Sequence, residues 1–328
     1  MTRRKRWIRG IAFLLGLLLL LQGLSYLFIV RGNGNKNALS IMKQEEDTLD
    51  YLVMGDSECY SSISPMELWR QFGFAGYNCG VVGQHAQDTY YLMEKVLRKQ
   101  SPKVILLETN ELFRSSKGSN GIETVVDNAA AKYFPLLQYH NGWKMISFSE
   151  IKRFKPFEKA SGNDALKGFH YRPQIVPYTG GEYMKPTDEI REIEAIPMHY
   201  LERMTDLCEE KGISLVLFSA PSPDNWNYKK HNAVEKYAKE RGLVFVDLNL
   251  KTEELGIDWA KDTTDRGDHL SFNGAKKVTD YMGQWLSDNF DLKDRRGDER
   301  YDAWNRIVEK YLKKTGQAEN AGDSAKKK

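Results

Sequence analysis

The longest apolar run of the chain lies near its N-terminus. Residues 11–30 read IAFLLGLLLLLQGLSYLFIV and carry no charge. About 20 apolar residues are enough for a helix to cross the hydrocarbon core of a bilayer. Five basic residues precede the run, and the positive-inside rule places such a flank in the cytoplasm. The pattern predicts a cytoplasmic basic segment at 1–10 and a transmembrane anchor at 11–30.

A cleaved secretory signal is the alternative interpretation of this run. The apolar core of such a signal usually has about 7–15 residues, followed by small residues at a cleavage site. The run here is longer, and the sequence FIVRGNGN at its end offers no such site. We therefore favour an uncleaved signal anchor in the cell membrane, with the rest of the chain outside the cytoplasm.

After a polar stretch at 31–48, which predicts a stalk, short apolar runs alternate with amphipathic patterns. The apolar runs predict strands at 51–54, near Tyr77, and at 103–110, 213–221 and 243–248. The amphipathic patterns predict helices at 87–100, through Tyr200 and Leu207, and at 232–241 and 272–290. Continuous apolar strands separated by helices are typical of a parallel sheet covered on both faces. The sequence therefore predicts one α/β domain at 49–290.

Two further segments depart from this alternation. Residues 111–194 are rich in aromatic residues and glycine, and they predict an insertion that contains some helix. The insertion could form a lid or a substrate wall, and simple packing of its aromatic residues is an equally open interpretation. Residues 291–328 predict a helix at 298–313 and a disordered tail.

Charge and cysteine content narrow the function classes. The formal net charge is +3, but eight basic residues lie at the two ends, so the remaining chain carries −5. This distribution argues against a nucleic-acid-binding surface. No CxxC or histidine-rich cluster is present, so we expect neither a metal nor another cofactor. Cys59 and Cys79 could form a disulfide, and three unpaired thiols, with Cys208, are the alternative.

Residues suited to acyl transfer follow the predicted strands, where ligands bind in an open parallel sheet. Acyl transfer needs a nucleophile, a base, an acid that orients the base, and donors for the oxyanion. Each residue type alone is also typical of a helix cap or a turn. Together they favour an acyl-transfer site, and the segments that carry them are Gly55-Asp56-Ser57, 78–83, Asn110 and 265–270.

These segments resemble the sequence blocks of the SGNH hydrolases, also called GDSL esterases. Gly55-Asp56-Ser57 matches the first block, and Gly83, or as second choice Gly80, matches the glycine of the second. Asn110 matches the third block, Gly-x-Asn-Asp, although both flanking residues differ. His269, followed by Leu-Ser-Phe-Asn, matches the last block. The resemblance spans about 50–290 without the insertion, and it implies a three-layer α/β/α domain with a flavodoxin-like parallel sheet of about five strands.

The resemblance also implies roles for these residues. Ser57 would be the nucleophile and His269 the general base. The backbone N–H groups of Ser57 and Gly83 and the amide of Asn110 would form the oxyanion hole. Asp56 would support the surrounding loops through hydrogen bonds.

The acid that orients His269 is a choice between two aspartates. The family spacing Asp-x-x-His places the acid at Arg266, which cannot fill the role. A one-residue bulge would let Asp265 reach the imidazole, whereas Asp268 would point away from it in an extended backbone. We favour Asp265 and keep Asp268 as the alternative.

Similar anchored proteins serve in teichoic-acid D-alanylation and polysaccharide O-acetylation, often together with a membrane-bound O-acyltransferase. We therefore expect an extracytoplasmic esterase or acyltransferase that acts on acyl esters of an envelope polysaccharide or teichoic acid. Water or a sugar hydroxyl would receive the acyl group. Two other classes stay open: a non-catalytic assembly protein that keeps the SGNH scaffold, and a lipase or thioesterase.

Overall fold

The computed structural model describes residues 3–31, 40–114 and 164–317. The first range and the other two belong to separate units, and each is described by itself. Helix α1 (Arg3–Arg31) forms the first range and extends the predicted 11–30 span toward the N-terminus. Its segment Lys5–Gly23 is long and apolar enough to cross a membrane. This length and composition suit a signal anchor.

The larger unit is built on five parallel strands. Along the chain they are β1 (Tyr51–Met54), β2 (Gly76–Asn78), β3 (Val104–Glu108), β4 (Ser214–Ser219) and β5 (Val244–Asp247). Their order in the sheet is β2-β1-β3-β4-β5, and every neighbouring pair is parallel. This is the flavodoxin-like order, in which β2 lies on one side of β1 and the later strands are added on the other side, starting with β3. The predicted fold class is confirmed.

The central strands are apolar throughout because both faces of the sheet are covered. On β1, Tyr51 and Val53 pack into one core, and Leu52 and Met54 pack into the other. The same alternation continues on β3 and β4. Side chains of a strand alternate between its two faces, so continuous apolar runs supply both cores at once.

Helices form the outer layers of the three-layer domain. In chain order they are α2 (Ser57–Ser62), α3 (Pro65–Phe72), α4 (Ala86–Val96), α5 (Ala195–Glu210), α6 (Tyr228–Arg241), α7 (Phe272–Asn289) and α8 (Asp302–Lys314). Buried residues of α4, α5, α6 and α8 belong to one core, and Val278, Met282 and Leu286 of α7 belong to the other.

The segments outside the sheet and its helices concern the predicted insertion, stalk and tail. Residues 164–194 contain no helix or strand, and residues 115–163 of the predicted insertion lie outside the described residues. Of the predicted stalk, residues 32–39 also lie outside them. Residues 40–48 pack on the domain, where Ile41 is buried and the Gln100 side chain accepts a hydrogen bond from Thr48 N–H at 3.1 Å. The predicted tail lies outside the described residues from position 318 onward.

Candidate active site

Ser57 lies at a sharp turn between β1 and α2. Gly55 has a φ of +140°, a conformation that side chains rarely adopt. A Cβ atom on Gly55 would also lie 2.9 Å from Cβ of Glu108, so the turn requires glycine. Asp56 caps α2 because its Oδ1 accepts the N–H of Glu58 at 3.0 Å. Ser57 is therefore the first residue of a helix at the carboxyl end of β1.

The Asp56 carboxylate joins this turn to the end of β3. Its Oδ2 accepts hydrogen bonds from Nδ2 of Asn110 at 3.2 Å and from Nε of Arg114 at 2.8 Å. The Nη2 atom of Arg114 lies 2.7 Å from the same oxygen. Asp56 is fully buried, and these charge-assisted bonds compensate for the burial of its charge. The contacts bring the Asn110 amide next to the residue that precedes Ser57.

The two candidate glycines of the second block have different surroundings. A Cβ atom on Gly80 would lie 2.7 Å from Sγ of Cys59 and 2.9 Å from the Asp56 carbonyl oxygen, so Gly80 packs directly against the Ser57 turn. The Gly80 N–H is already bonded to the Asn78 side chain at 3.1 Å. Gly83 lies in an exposed turn with a φ of +64°. Gly80 thus shapes the turn, and Gly83 remains the candidate donor.

The loop before His269 folds back on itself. Arg266 and Gly267 have φ angles of +66° and +102°, which reverse the chain between Asp265 and His269. As a result, Asp265 Oδ1 accepts the backbone N–H of His269 at 2.6 Å, and Asp265 Oδ2 lies 2.7 Å from His269 Nδ1. The bulge expected from the spacing is present, and it places Asp265 against the imidazole.

Asp268 also faces the imidazole, contrary to our expectation that it points away. Its Oδ2 lies 3.4 Å from His269 Nδ1, because the loop is reversed rather than extended. Its Oδ1 accepts a hydrogen bond from Asn225 Nδ2 at 2.5 Å. Arg172 approaches the other aspartate, with Nη1 3.3 Å from Asp265 Oδ2. Asp265 thus makes the shorter contact with His269, and Asp268 makes a longer one.

The second ring nitrogen of His269 is buried and has no hydrogen-bond partner among the described residues. A carboxylate on Nδ1 selects the tautomer in which Nε2 carries a free lone pair. The ring lies beside α2, because ligand atoms of His269, Asp268 and Glu58 lie within 4.8 Å of one another. Hydrogen bonds between nucleophile and base are often long in the free enzyme. The ring therefore lies next to Glu58, the residue after Ser57, and its Nε2 offers the lone pair that a base needs.

Buried glutamates surround the Ser57 turn. Burial raises the pKa of Glu58 and Glu108 well above the ordinary value, and the charge of Asp56 raises both further. Glu108 Oε2 accepts the Asn110 N–H at 2.9 Å, and Glu58 Oε1 accepts Asn225 Nδ2 at 2.7 Å. Both carboxyls favour the protonated form, which reduces the negative charge next to Ser57.

Several residues of the site had no signal in the sequence blocks. Ser222 and Asn225 come from the loop after β4, and Lys230 comes from the first turn of α6. Their position beyond a strand end was the available signal, since all ligand-binding loops of such a sheet lie at that edge. Glu58 is adjacent to Ser57 at the end of β1 and could have been found by the same argument.

Among the described residues, one group of side chains could hold a metal ion, and the three cysteines form no disulfide. Glu58, Asp268 and His269 form a group that could hold a metal ion, with oxygen and imidazole ligands. His269 in this group is also the predicted base, so a bound cation would compete with proton transfer. Cys59, Cys79 and Cys208 are free thiols and are buried. They pack as small apolar groups.

Comparisons with known proteins yield only distant likenesses. No family model matches the sequence, and no curated protein matches it. A provisionally named acylhydrolase from Bacteroides fragilis shares 13% identity at a TM-score of 0.40, over 78% of this chain and 97% of that chain. A GDSL-like lipase from Bacteroides thetaiotaomicron shares 13% identity at a TM-score of 0.40, over 79% and 99%. Both are too distant to assign an activity to this chain.

Proposed function

We propose that the protein is an extracytoplasmic serine esterase or acyltransferase that acts on acyl esters of an envelope polysaccharide or teichoic acid. Ser57 is the nucleophile, His269 is the general base, and Asp265 orients the imidazole. The observation that carries this proposal is the state of His269. Its Nδ1 lies 2.7 Å from Asp265, its Nε2 is buried and has no hydrogen-bond partner among the described residues, and the ring lies beside Glu58 in the helix that Ser57 begins.

The proposed reaction uses these groups in turn. Nε2 of His269 takes the Ser57 proton as the serine oxygen bonds to the ester carbonyl carbon, and Asp265 stabilises the imidazolium. The N–H groups of Ser57 and Gly83 and the amide of Asn110 stabilise the oxyanion. His269 then returns the proton to the departing alcohol, and an acyl-serine remains. Water or a sugar hydroxyl, deprotonated by the same nitrogen, attacks the acyl-serine and regenerates Ser57.

The substrate class is inferred from location. The apolar segment Lys5–Gly23 suits a membrane anchor, and the basic residues before it favour an N-terminus in the cytoplasm. A tethered domain outside the membrane has polymer-bound esters of the envelope within its reach. A membrane-bound O-acyltransferase is the partner that would supply the acyl group for transfer.

The test uses the full chain, purified in detergent and exposed to a fluorophosphonate probe. We expect wild-type protein to be labelled, Ser57→Ala to remain unlabelled, and Ser101→Ala, which alters an exposed serine, to be labelled like wild type. Absence of label on folded wild-type protein would refute the serine-enzyme proposal. Label on Ser57→Ala would refute the choice of nucleophile.

The substrate class needs a separate measurement with unlabelled wild-type protein. We expect release or transfer of acyl groups from O-acetylated polysaccharide or D-alanylated teichoic acid, and little turnover of long-chain lipid esters. Preference for the lipid esters would identify a lipase or thioesterase instead.

A further inference from the structure

A buried lysine, Lys230, donates a hydrogen bond to the amide oxygen of Asn110, the candidate oxyanion donor. Lys230 lies in the first turn of α6, and its side chain is buried although it carries an ammonium group. Its Nζ donates to Oδ1 of Asn110 at 3.1 Å and also to the carbonyl oxygen of Asn225. Buried lysines are rare unless their charge is compensated, so this placement calls for a specific role.

The contacts of Asn110 fix the orientation of its amide. An ammonium group can only donate hydrogen bonds, and an ionised carboxylate can only accept them. Because Lys230 lies at the Oδ1 side and Asp56 lies 3.2 Å from Nδ2, only one of the two amide orientations satisfies both neighbours. In that orientation one Nδ2 hydrogen is bonded to Asp56, and the second, which bonds no acceptor among the described residues, can serve a ligand.

We propose that Lys230 is a positioning residue that holds the Asn110 amide with its N–H side toward the Ser57 turn. This inference rests on the proposed function, in which Asn110 donates to the oxyanion. A donor that is already oriented costs no reorganisation when negative charge develops on the substrate, and such preorganisation is a large part of oxyanion stabilisation. Lys230 acts through Asn110 and does not itself contact the substrate.

The second bond of Lys230 extends the same support to the base. Its other acceptor, the carbonyl of Asn225, belongs to the loop after β4. The side chain of Asn225 donates to Glu58 at 2.7 Å and to Asp268 at 2.5 Å, and both lie beside His269. One ammonium group therefore links the oxyanion side of the site with the loop that supports the base.

The charges around Lys230 set the pH range in which it works. Burial lowers its pKa to about 8 and Arg191 lowers it as well, whereas the negative charges of Glu108 and Glu58, when these are ionised, and of Asp56 oppose the shift. Above this pH the neutral amine can also accept a hydrogen bond, so it no longer selects one orientation of the amide. We expect kcat to fall on an alkaline limb near pH 8.

The first test compares variants of the full chain in detergent. Lys230→Met keeps most of the length of the side chain but removes the donor, and we expect kcat on a soluble ester to fall about tenfold to a hundredfold. KM should change less than about threefold, because the ester's ground-state contacts are retained. Lys230→Arg keeps a charged donor and should restore part of kcat and move the alkaline limb to higher pH. Lys236→Met, exposed on the same helix, should match wild type.

A double-mutant cycle separates positioning from a general structural role. If Lys230 acts through Asn110, then Lys230→Met should lower kcat little further in an Asn110→Ala background. Full additivity of the two losses would overturn the proposal. So would an Lys230→Met variant with wild-type kcat.

Melting temperatures test the contact between Lys230 and Asn110 independently of any catalytic activity. The losses in melting temperature of Lys230→Met and Asn110→Ala should be non-additive, since the two side chains are in contact. Additive losses would overturn the contact itself. Wild-type protein without label or turnover would overturn the proposed function and the catalytic part of this inference, while the melting cycle still decides whether Lys230 holds Asn110.

Discussion

At the scale of single residues, His269 lies between two carboxylates that make unequal contacts. Asp265 bonds both the ring at 2.7 Å and the backbone N–H of His269, whereas Asp268 lies 3.4 Å from the ring. Asp265→Asn would present an amide to Nδ1 and disturb the tautomer that leaves Nε2 free. We expect it to lower kcat about 10³- to 10⁴-fold.

The matched control for this prediction is Asp268→Asn, which we expect to lower kcat by less than about tenfold. The measurement is steady-state hydrolysis of a soluble ester by both variants at one pH. The reverse ranking would assign the orienting role to Asp268.

A second residue-scale prediction concerns the pH dependence of stability. Glu111 is buried, and burial raises its pKa well above the ordinary value, although a hydrogen bond from Thr89 lowers it. The folded protein then holds a proton that the unfolded chain releases above about pH 4.3. The stability from this proton is fully present below that pH and is lost as the pH rises through the folded-state pKa.

Glu111→Gln removes this titration. The difference in melting temperature, variant minus wild type, should therefore become more positive from pH 4 to pH 8. Glu299→Gln, which alters an exposed glutamate, should keep a constant difference from wild type. A constant difference for Glu111→Gln would show that Glu111 is not protonated in the folded protein.

The residues that could be predicted from the sequence are those with a local signal. Ser57 and His269 lie in short sequence blocks, and the sequence favoured Asp265 as the partner of the imidazole while Asp268 stayed open as the alternative. Lys230 and Asn225 could not be predicted to meet Asn110 and Glu58, because they are more than a hundred positions away and only the sheet brings them together. Sequence spacing carries no information about such contacts.

At the scale of elements, the turn between β1 and α2 depends on Gly80, which lies in the loop after the neighbouring strand β2. A Cβ atom on Gly80 would lie 2.7 Å from Cys59 Sγ and 2.9 Å from the Asp56 carbonyl. Gly80→Ala should therefore push the loop after β2 away from Ser57. We expect a loss of about 1–3 kcal/mol in stability, as for other overpacked sites, together with slower fluorophosphonate labelling.

Gly297→Ala is the control, because a Cβ atom there meets nothing within 4 Å. We expect its melting temperature and labelling rate to equal those of wild type. Unchanged stability and labelling in Gly80→Ala would contradict the close packing of these two elements.

The sequence predicted those strands and helices whose buried faces impose a regular pattern of apolar residues. β1 occupies the predicted residues 51–54, and α7 ends within one residue of the prediction. Helix α3 was missed, although Pro65 at its start and Gly73, left-handed at its end, are ordinary boundary signals. Its eight residues are too few to establish a helical period against the surrounding loops.

At the scale of the whole molecule, the alternation of strands and helices predicted the fold class because parallel strands need crossover connections. The neighbours of each strand could not be read from the pattern. Because β1 and β3 are neighbours in the sheet, their ends lie side by side, and there Asp56, the residue before Ser57, bonds the Asn110 amide. The site thus depends on strand order as much as on its sequence blocks.

The membrane topology of the chain can be measured with introduced cysteines, because the native cysteines are buried. Because all three native cysteines are buried, a new cysteine on the surface gives a clean signal with a membrane-impermeant maleimide. In right-side-out vesicles we expect Lys95→Cys, exposed on α4, to be labelled and Lys5→Cys to be labelled only after detergent is added. The opposite pattern would place the domain in the cytoplasm, where envelope esters cannot be its substrate. Recovery of Lys95→Cys as a soluble, shortened chain would instead indicate cleavage of α1, because an uncleaved anchor keeps the domain in the membrane fraction.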